Sequence, residues 1–229
     1  MNEYVYTDSS RLTLNQFILR TFMYMAGGLL LTAITAFLTV STGFLFQLIR
    51  TPFLFLFLFI GQIGLVIFLS NRVYKLKITS AFIAFGAYSV LNGITLSTLA
   101  LSYGLGLIAI AFGFTAVLFV NMAIIGFITK ADLTKFTSLI LPALITLIIM
   151  SVIGVWMNFP GMTMVVSYIG VAIFLGLTAH DVQVLKKQYY TIGDDGVQLQ
   201  AAGIFGALQL YLNFINLFIR ILRLLGKRR

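Results

Sequence analysis

Seven long apolar stretches constrain this chain more than any other feature of its sequence. A helix needs about 20 mostly apolar residues to cross a bilayer, and each stretch reaches that length. Of its 229 residues, 60% are hydrophobic and 9% are charged, whereas a soluble domain carries about 25% charged residues. We therefore predict an all-α membrane protein with seven transmembrane helices, at about 22–40, 52–70, 78–101, 105–128, 136–155, 162–185 and 203–225.

The connections between these stretches are too short to hold a separate soluble domain. Three residues separate the third stretch from the fourth, and a turn of Asn, Phe, Pro and Gly at 158–161 joins the fifth to the sixth. We predict a cytoplasmic tail over 1–20, one seven-helix domain over 21–226 and a basic tail over 227–229. The first twenty residues are too polar for the apolar core of a signal peptide, so we expect no cleaved leader.

The basic residues predict the orientation, because cytoplasmic loops carry an excess of Lys and Arg. A cytoplasmic N-terminus leaves only Arg50 in an outer loop and places the following residues inside: Arg11, Arg20, Arg72, Lys75, Lys77, Lys130, Lys135, Lys186 and Lys187. We therefore attribute the net charge of +9 to basic residues that contact anionic lipid headgroups, and we do not expect nucleic-acid binding. The basic tail at 227–229 lies outside in this arrangement, unless the last segment re-enters. We favour seven full spans in a bacterial plasma membrane, with an organelle membrane as the alternative.

The last apolar stretch carries a narrow polar seam. Its residues are spaced 4, 3, 4 and 3 apart, which lines one face of a helix with 3.6 residues per turn; they are Gln209, Asn213, Asn216, Arg220 and Arg223. Polar side chains at membrane depth face a bundle interior or a water-filled cavity. We therefore predict that this helix lies inside the bundle.

Asp181 is the most informative single residue, because a carboxylate within a spanning helix is costly to insert. It is either a proton- or cation-responsive gate near the cytoplasmic end, or an interfacial Asp that pairs with a nearby Lys. Its neighbour His180 is the only histidine, and we interpret it as an interfacial side chain. The chain has no cysteine and no motif that completes a zinc site, a hydrolase triad or a protease dyad. We expect no enzyme and no cofactor.

Two further polar features leave alternatives open. Asp194 and Asp195 lie between glycines in a polar segment, which is typical of a solvated turn, with a loose cation site as the alternative. Gln62 lies inside the second stretch between Gly61 and Gly64. It either faces Arg223 across the bundle as a latch or bonds to a neighbouring helix.

Four segments resemble one known family. GALQLYLNFINLFIRILRLLG at 206–226 is similar to the last helix of the Bax inhibitor-1 (transmembrane Bax inhibitor motif) family, and AHDVQ at 179–183 resembles its YDxQ motif. YSVLNGITLS at 88–97 and FGFTAVLFVNMAIIGFITKADLTKF at 112–136 resemble the family's third and fourth helices. The likeness covers most of the chain from about residue 20.

The resemblance implies a seven-helix fold in which helix seven is central between two three-helix groups. It also implies a pH-sensitive calcium leak channel, whose gate is a pair of aspartates that share a proton between helices six and seven. Asp181 matches the first aspartate, whereas Asn213 stands where the family motif has the second. Gln62 stands where members often have a Glu that pairs with the Arg matching Arg223, and Arg72 falls near a basic residue that approaches the first aspartate.

These departures leave the implied proton switch incomplete. Two close carboxylates cannot both ionise cheaply and therefore titrate as a coupled pair, but an Asp–Asn pair lacks this repulsion. A single carboxylate also weakens a Ca²⁺ site, so Asp181 is only a weak calcium ligand candidate. The alternative function is a non-conducting membrane protein that regulates proteases or stress and cell-death signalling. The implied partners are the lipid bilayer, calcium or other cations, and a membrane protein such as a protease.

Overall fold

The computed structural model describes residues 12–72, 77–157 and 159–226. Within these ranges the secondary structure is helical, with no β-strand. The elements are α1 (Leu14–Ser41), α2 (Phe44–Arg50), α3 (Pro52–Arg72), α4 (Ile78–Leu96), α5 (Leu99–Ser102), α6 (Leu105–Ile128), a 3₁₀ turn (Leu133–Phe136), α7 (Thr137–Trp156), α8 (Pro160–Ile192) and α9 (Gly196–Gly226). Seven spans in the described residues are long and apolar enough to cross a membrane, which confirms the predicted fold class.

The first span begins earlier than the hydrophobic pattern predicts. α1 begins at Leu14 and not near residue 22, because Thr13 and Gln16 form a capping box at its start. The predicted tail over 1–20 therefore contains about two turns of α1, while residues 1–11 lie outside the described ranges. Capping overrides hydropathy here because it satisfies backbone N–H groups at the helix start.

The connection between the sixth and seventh predicted spans, at 186–202, is mostly helix. α8 continues to Ile192 and α9 begins at Gly196. Gly193 ends α8 with a φ of 68°, a left-handed conformation that glycine adopts at little cost. The carboxylate of Asp195 then accepts hydrogen bonds from the backbone N–H groups of Val197 and Gln198, at 3.1 and 2.9 Å. The segment with the two aspartates is thus a tight turn in which Asp195 caps α9.

α9 is the central helix. In its most apolar 18-residue stretch, 72% of residues are buried inside the protein, compared with 6% for the spans of α3 and α7. One group of neighbours contains α1, α3 and α4, and the other contains α6, α7 and α8. α9 packs against both groups, which confirms the arrangement implied by the family resemblance.

Tyr211 joins α9 to the first group. It is fully buried, and its hydroxyl lies 2.6 Å from the Thr32 hydroxyl of α1. Asn92 of α4 donates to the same oxygen at 3.1 Å. The rings of Phe85 and Tyr88 meet the Tyr211 ring edge-on. One side chain of α9 therefore binds two helices of this group.

α9 crosses the whole bundle. Near its start, Gly203 packs against Phe17 and Thr21 of α1, and at its end Gly226 packs against Tyr103 between α5 and α6. A helix of 31 residues is about 46 Å long, which matches a bilayer with its headgroups. α9 is thus long and apolar enough for the full span that we favoured, and residues 227–229 lie outside the described ranges.

Candidate functional site

Asp181 and Asn213 face each other between α8 and α9. The Asn213 side-chain amide donates to Asp181 Oδ2 at 2.7 Å. Asp181 is 9% exposed and Asn213 is 6% exposed. The two positions that the resemblance implies as a pair are therefore adjacent in the interior, as a carboxylate and an amide.

His180 holds the other oxygen of the carboxylate. Its Nδ1 lies 2.9 Å from Asp181 Oδ1, and its Nε2 lies 2.9 Å from the Thr137 hydroxyl at the start of α7. The histidine is only 8% exposed. His180 is therefore packed inside the protein, while its position at the membrane interface stays a prediction. The local sequence gave no signal for its role, because Thr137 is distant in the chain.

The hydrogen-bond donors in this cluster can be counted. A carboxylate only accepts hydrogen bonds, so an ionised Asp181 requires a proton on His180 Nδ1. The Thr137 hydroxyl has one proton and lies 2.6 Å from the Thr134 carbonyl oxygen, to which it donates. Its oxygen is then free to accept from His180 Nε2–H. Asp181, His180 and Thr137 thus form one continuous chain of hydrogen bonds that ends at the Thr134 carbonyl.

Gln183 fixes the loop beside the pair. Its side-chain amide donates to the Ala131 carbonyl at 2.8 Å, and its Oε1 accepts from the Leu133 N–H at 2.9 Å. In the same loop, the hydroxyl of Thr134 donates a hydrogen bond to the Asp132 carboxylate. This hydrogen bond is the largest of the effects that lower the pKa of Asp132. The motif AHDVQ thus binds three partners: α7 through His180, α9 through Asp181 and the α6–α7 loop through Gln183.

The five polar residues of the α9 seam are not all buried. Asn213 and Arg220 are buried, whereas Gln209, Asn216 and Arg223 are half-buried. The Asn216 amide donates to its own helix, at the Leu212 carbonyl, 2.8 Å away. Because α9 is central, most of its apolar residues are buried as well.

Arg220 lies at the interface of α7, α8 and α9. Its Nη1 and Nη2 each lie 3.3 Å from the hydroxyl oxygen of Ser151. A Cβ atom placed on Gly170 of α8 would lie 2.9 Å from Arg220 Nε, so the absence of a side chain at Gly170 makes room for the guanidinium. The spacing of polar residues predicted Arg220 in the seam but identified neither Ser151 nor Gly170 as its neighbour.

Gln62 donates to the Thr95 hydroxyl of α4 at 2.9 Å. Of the two alternatives for Gln62, the structure therefore shows the hydrogen bond to a neighbouring helix and not the latch with Arg223. Arg72 ends α3, but its side chain is outside the part that the structure describes, so its approach to Asp181 stays a prediction.

The calcium-ligand role of Asp181 also stays a prediction. Within the described ranges, no group of three or more His, Cys, Asp or Glu side chains is arranged to hold a metal ion. The site instead offers one carboxylate, one amide and one imidazole.

Comparison with known proteins identifies relatives over nearly the full length. The family described as "Inhibitor of apoptosis-promoting Bax1" matches residues 14–229. The inner membrane protein YbhL of Escherichia coli is 38% identical over 221 residues, covering 96% of this chain and 94% of YbhL. An uncharacterized protein of Rickettsia prowazekii is 36% identical, covering 94% of this chain and 91% of its own. An uncharacterized membrane protein of Streptococcus pyogenes is 33% identical and covers 99% of both chains.

Proposed function

Because this chain belongs to the Bax inhibitor-1 family of membrane proteins, we propose that it is a pH-sensitive cation leak channel of the bacterial inner membrane, with Ca²⁺ as a permeant ion. The observation that carries the proposal is the bond from Asn213 to Asp181 between α8 and α9. A carboxylate at membrane depth costs roughly 2.5–3.5 kcal/mol when central. Such residues mark ion and proton pathways more often than they stabilise a fold.

The leak is controlled by competition at one oxygen atom. Asn213 donates to Asp181 Oδ2, so a passing cation must replace this N–H donor to reach the charge. The replacement separates α8 from α9 locally, and this step keeps the leak slow. Protonation of the carboxylate removes the charge that attracts the cation, so the leak falls at low pH.

Calcium flux into liposomes tests this proposal. The purified full chain is reconstituted around a calcium indicator, and flux is recorded between about pH 6 and 8. We expect a slow leak with a shallow pH dependence over this range, because a single carboxylate lacks the coupling of a carboxylate pair. An Asp181→Asn variant should lose most of the leak and most of the remaining pH dependence. Asp132→Asn is the matched control, because this carboxylate is exposed and outside the spans. Equal leaks for wild type and Asp181→Asn, with both folded, contradict a channel controlled at Asp181.

The alternative function is a non-conducting membrane protein that binds a protease or another membrane partner. One observation favours it: Asn213 leaves a single carboxylate at the site, which weakens attraction for a divalent ion. Neither function includes a catalysed reaction. Absence of flux at every pH from correctly folded protein would favour this alternative.

A further inference from the structure

Arg220 is a buried cation with no anionic partner in the part of the chain that the structure describes. It is 8% exposed, and its hydrogen bonds reach only the neutral Ser151 hydroxyl, at the long distance of 3.3 Å. Among the described residues, no carboxylate lies within salt-bridge distance of its guanidinium. A buried charge is normally paired, because leaving water is costly. An unpaired arginine at membrane depth therefore calls for a function.

The guanidinium is held inside the bundle and does not extend to the membrane surface. Arginine side chains near helix ends commonly reach toward the headgroups. Arg220 instead turns sideways to Ser151, which lies five residues before the end of α7, or about 8 Å along that helix. It lies against Gly170, so α7, α8 and α9 enclose the charge together.

Arg220 lies on the same faces as the Asp181–Asn213 pair. Arg220 follows Asn213 by seven residues on α9, and Gly170 precedes Asp181 by eleven on α8. Both spacings return to nearly the same side of a helix. The eleven residues span about 16 Å, too far for a bond between the carboxylate and the guanidinium. The α8–α9 interface thus carries a negative charge at one level and an unpaired positive charge at another.

We propose that Arg220 is the electrostatic barrier of the leak: a cation attracted to Asp181 meets the unpaired guanidinium further along the α8–α9 interface and is repelled there. This inference rests on the proposed function and names the residue that limits its rate and ion preference. Arginine suits the role because it stays charged in proteins. Arg223, one turn further along α9, adds to the same positive field.

The dependence of flux on the charge of the permeating ion distinguishes an electrostatic barrier from a general loosening of helix packing. A fixed potential opposes a divalent ion with twice the energy that opposes a monovalent ion. Removal of the Arg220 charge therefore increases K⁺ flux by some factor and increases Ca²⁺ flux by the square of that factor. A roughly tenfold gain for Ca²⁺ corresponds to about threefold for K⁺. A variant that only loosens helix packing raises both fluxes by similar factors.

The experiment compares Arg220→Gln and Arg220→Lys with wild type in liposomes, measuring Ca²⁺ and K⁺ flux in the same preparations. We expect Arg220→Gln to raise Ca²⁺ flux roughly tenfold and to raise the Ca²⁺ to K⁺ ratio about threefold. Arg220→Lys keeps the charge and is expected to stay near wild type. If Arg220→Gln does not fold, Arg220→Met removes the charge with an apolar side chain of similar length.

Arg50→Gln is the matched control, because Arg50 is an exposed arginine at the end of α2. Its loss is expected to change neither flux. An unchanged Ca²⁺ flux in a conducting Arg220→Gln protein overturns the barrier but leaves the proposed leak standing. Equal gains for Ca²⁺ and K⁺ also overturn it. If wild type and all variants fail to conduct, both the leak and the barrier are wrong.

Discussion

Tyr211 and Asn213 lie two residues apart on α9 and bind opposite halves of the bundle. The Tyr211 hydroxyl contacts Thr32 and Asn92 of the first group, and the Asn213 amide donates to Asp181 of the second. Two residues rotate a helix by about 200°, so neighbouring polar side chains face different partners. The central helix thus connects the candidate site to both groups.

Tyr211→Phe tests the contact with the first group. The change removes one hydroxyl and leaves Asn92 without the acceptor that it has at Tyr211. We expect a loss of about 1–2 kcal/mol in the free energy of unfolding, measured by denaturation in detergent micelles. Tyr168→Phe is the control, because Tyr168 is 62% exposed. Equal stabilities for the two variants would show that the buried hydroxyl does not hold the groups together.

Asn213→Asp tests the coupled carboxylate pair. The bond between the two side chains places a second carboxylate within a few ångströms of Asp181. Because double ionisation is then costly, the two groups share a proton. We expect a steeper dependence of calcium flux on pH between about pH 6 and 8 than in wild type. Adding Asp181→Asn is expected to flatten the profile again, and the double mutant separates coupling from independent effects. Identical profiles for wild type and Asn213→Asp would exclude this pair as the switch.

His180→Phe tests the chain of contacts from Thr137 to Asp181. The variant removes the imidazole contacts with Asp181 Oδ1 and with the Thr137 hydroxyl. We expect the free energy of unfolding to fall by roughly 1.5–3 kcal/mol, as for hydrogen bonds to charged groups. The cost should shrink when Asp181 is already Asn, because the charged acceptor is then absent. Full additivity of the two changes would mean that the side chains act independently.

Gly126→Ala tests the close contact beside the site. A Cβ atom on Gly126 of α6 would collide with the backbone of Ala179, the residue before His180. Backbone cannot move aside cheaply, so we expect a loss of about 1–3 kcal/mol and a lower melting temperature. Gly113→Ala on the same helix has no heavy atom within 4 Å of its new Cβ and should leave stability unchanged or slightly higher. A wild-type melting temperature for Gly126→Ala would contradict this packing.

Single cysteines test the orientation, since the chain has none. Lys130 and Ser102 are both exposed and flank opposite ends of α6. With a cytoplasmic N-terminus, an impermeant maleimide added to intact cells should label Ser102→Cys but not Lys130→Cys. The reason is the excess of basic residues on the side of Lys130. The reverse pattern would invert the predicted topology.

Hydrophobic pattern alone predicted the seven spans, because the bilayer imposes one length and one composition on every spanning helix. It predicted α6 at its observed bounds, since short turns stop that helix at both ends. The apolar stretches were too short at the start of α1 and at the ends of α8 and α9, because capping and packing extend helices into polar sequence, although one or two turns of helix were expected before residue 21. The polar seam predicted that α9 lies inside the bundle, and the family resemblance added its place between two three-helix groups.

The candidate site was predictable only in part. The spacing of polar residues marked Asn213 and Arg220, and the cost of a charge in the membrane marked Asp181. Sequence could not reveal that His180 joins Asp181 to Thr137, since the histidine and the threonine lie 43 residues apart. Nor could it reveal that Arg220 ends beside Ser151 and Gly170, with no described carboxylate within salt-bridge distance. Helix periodicity determines which residues share a face, but only tertiary packing decides which faces meet, because that choice depends on side chains distant in the chain.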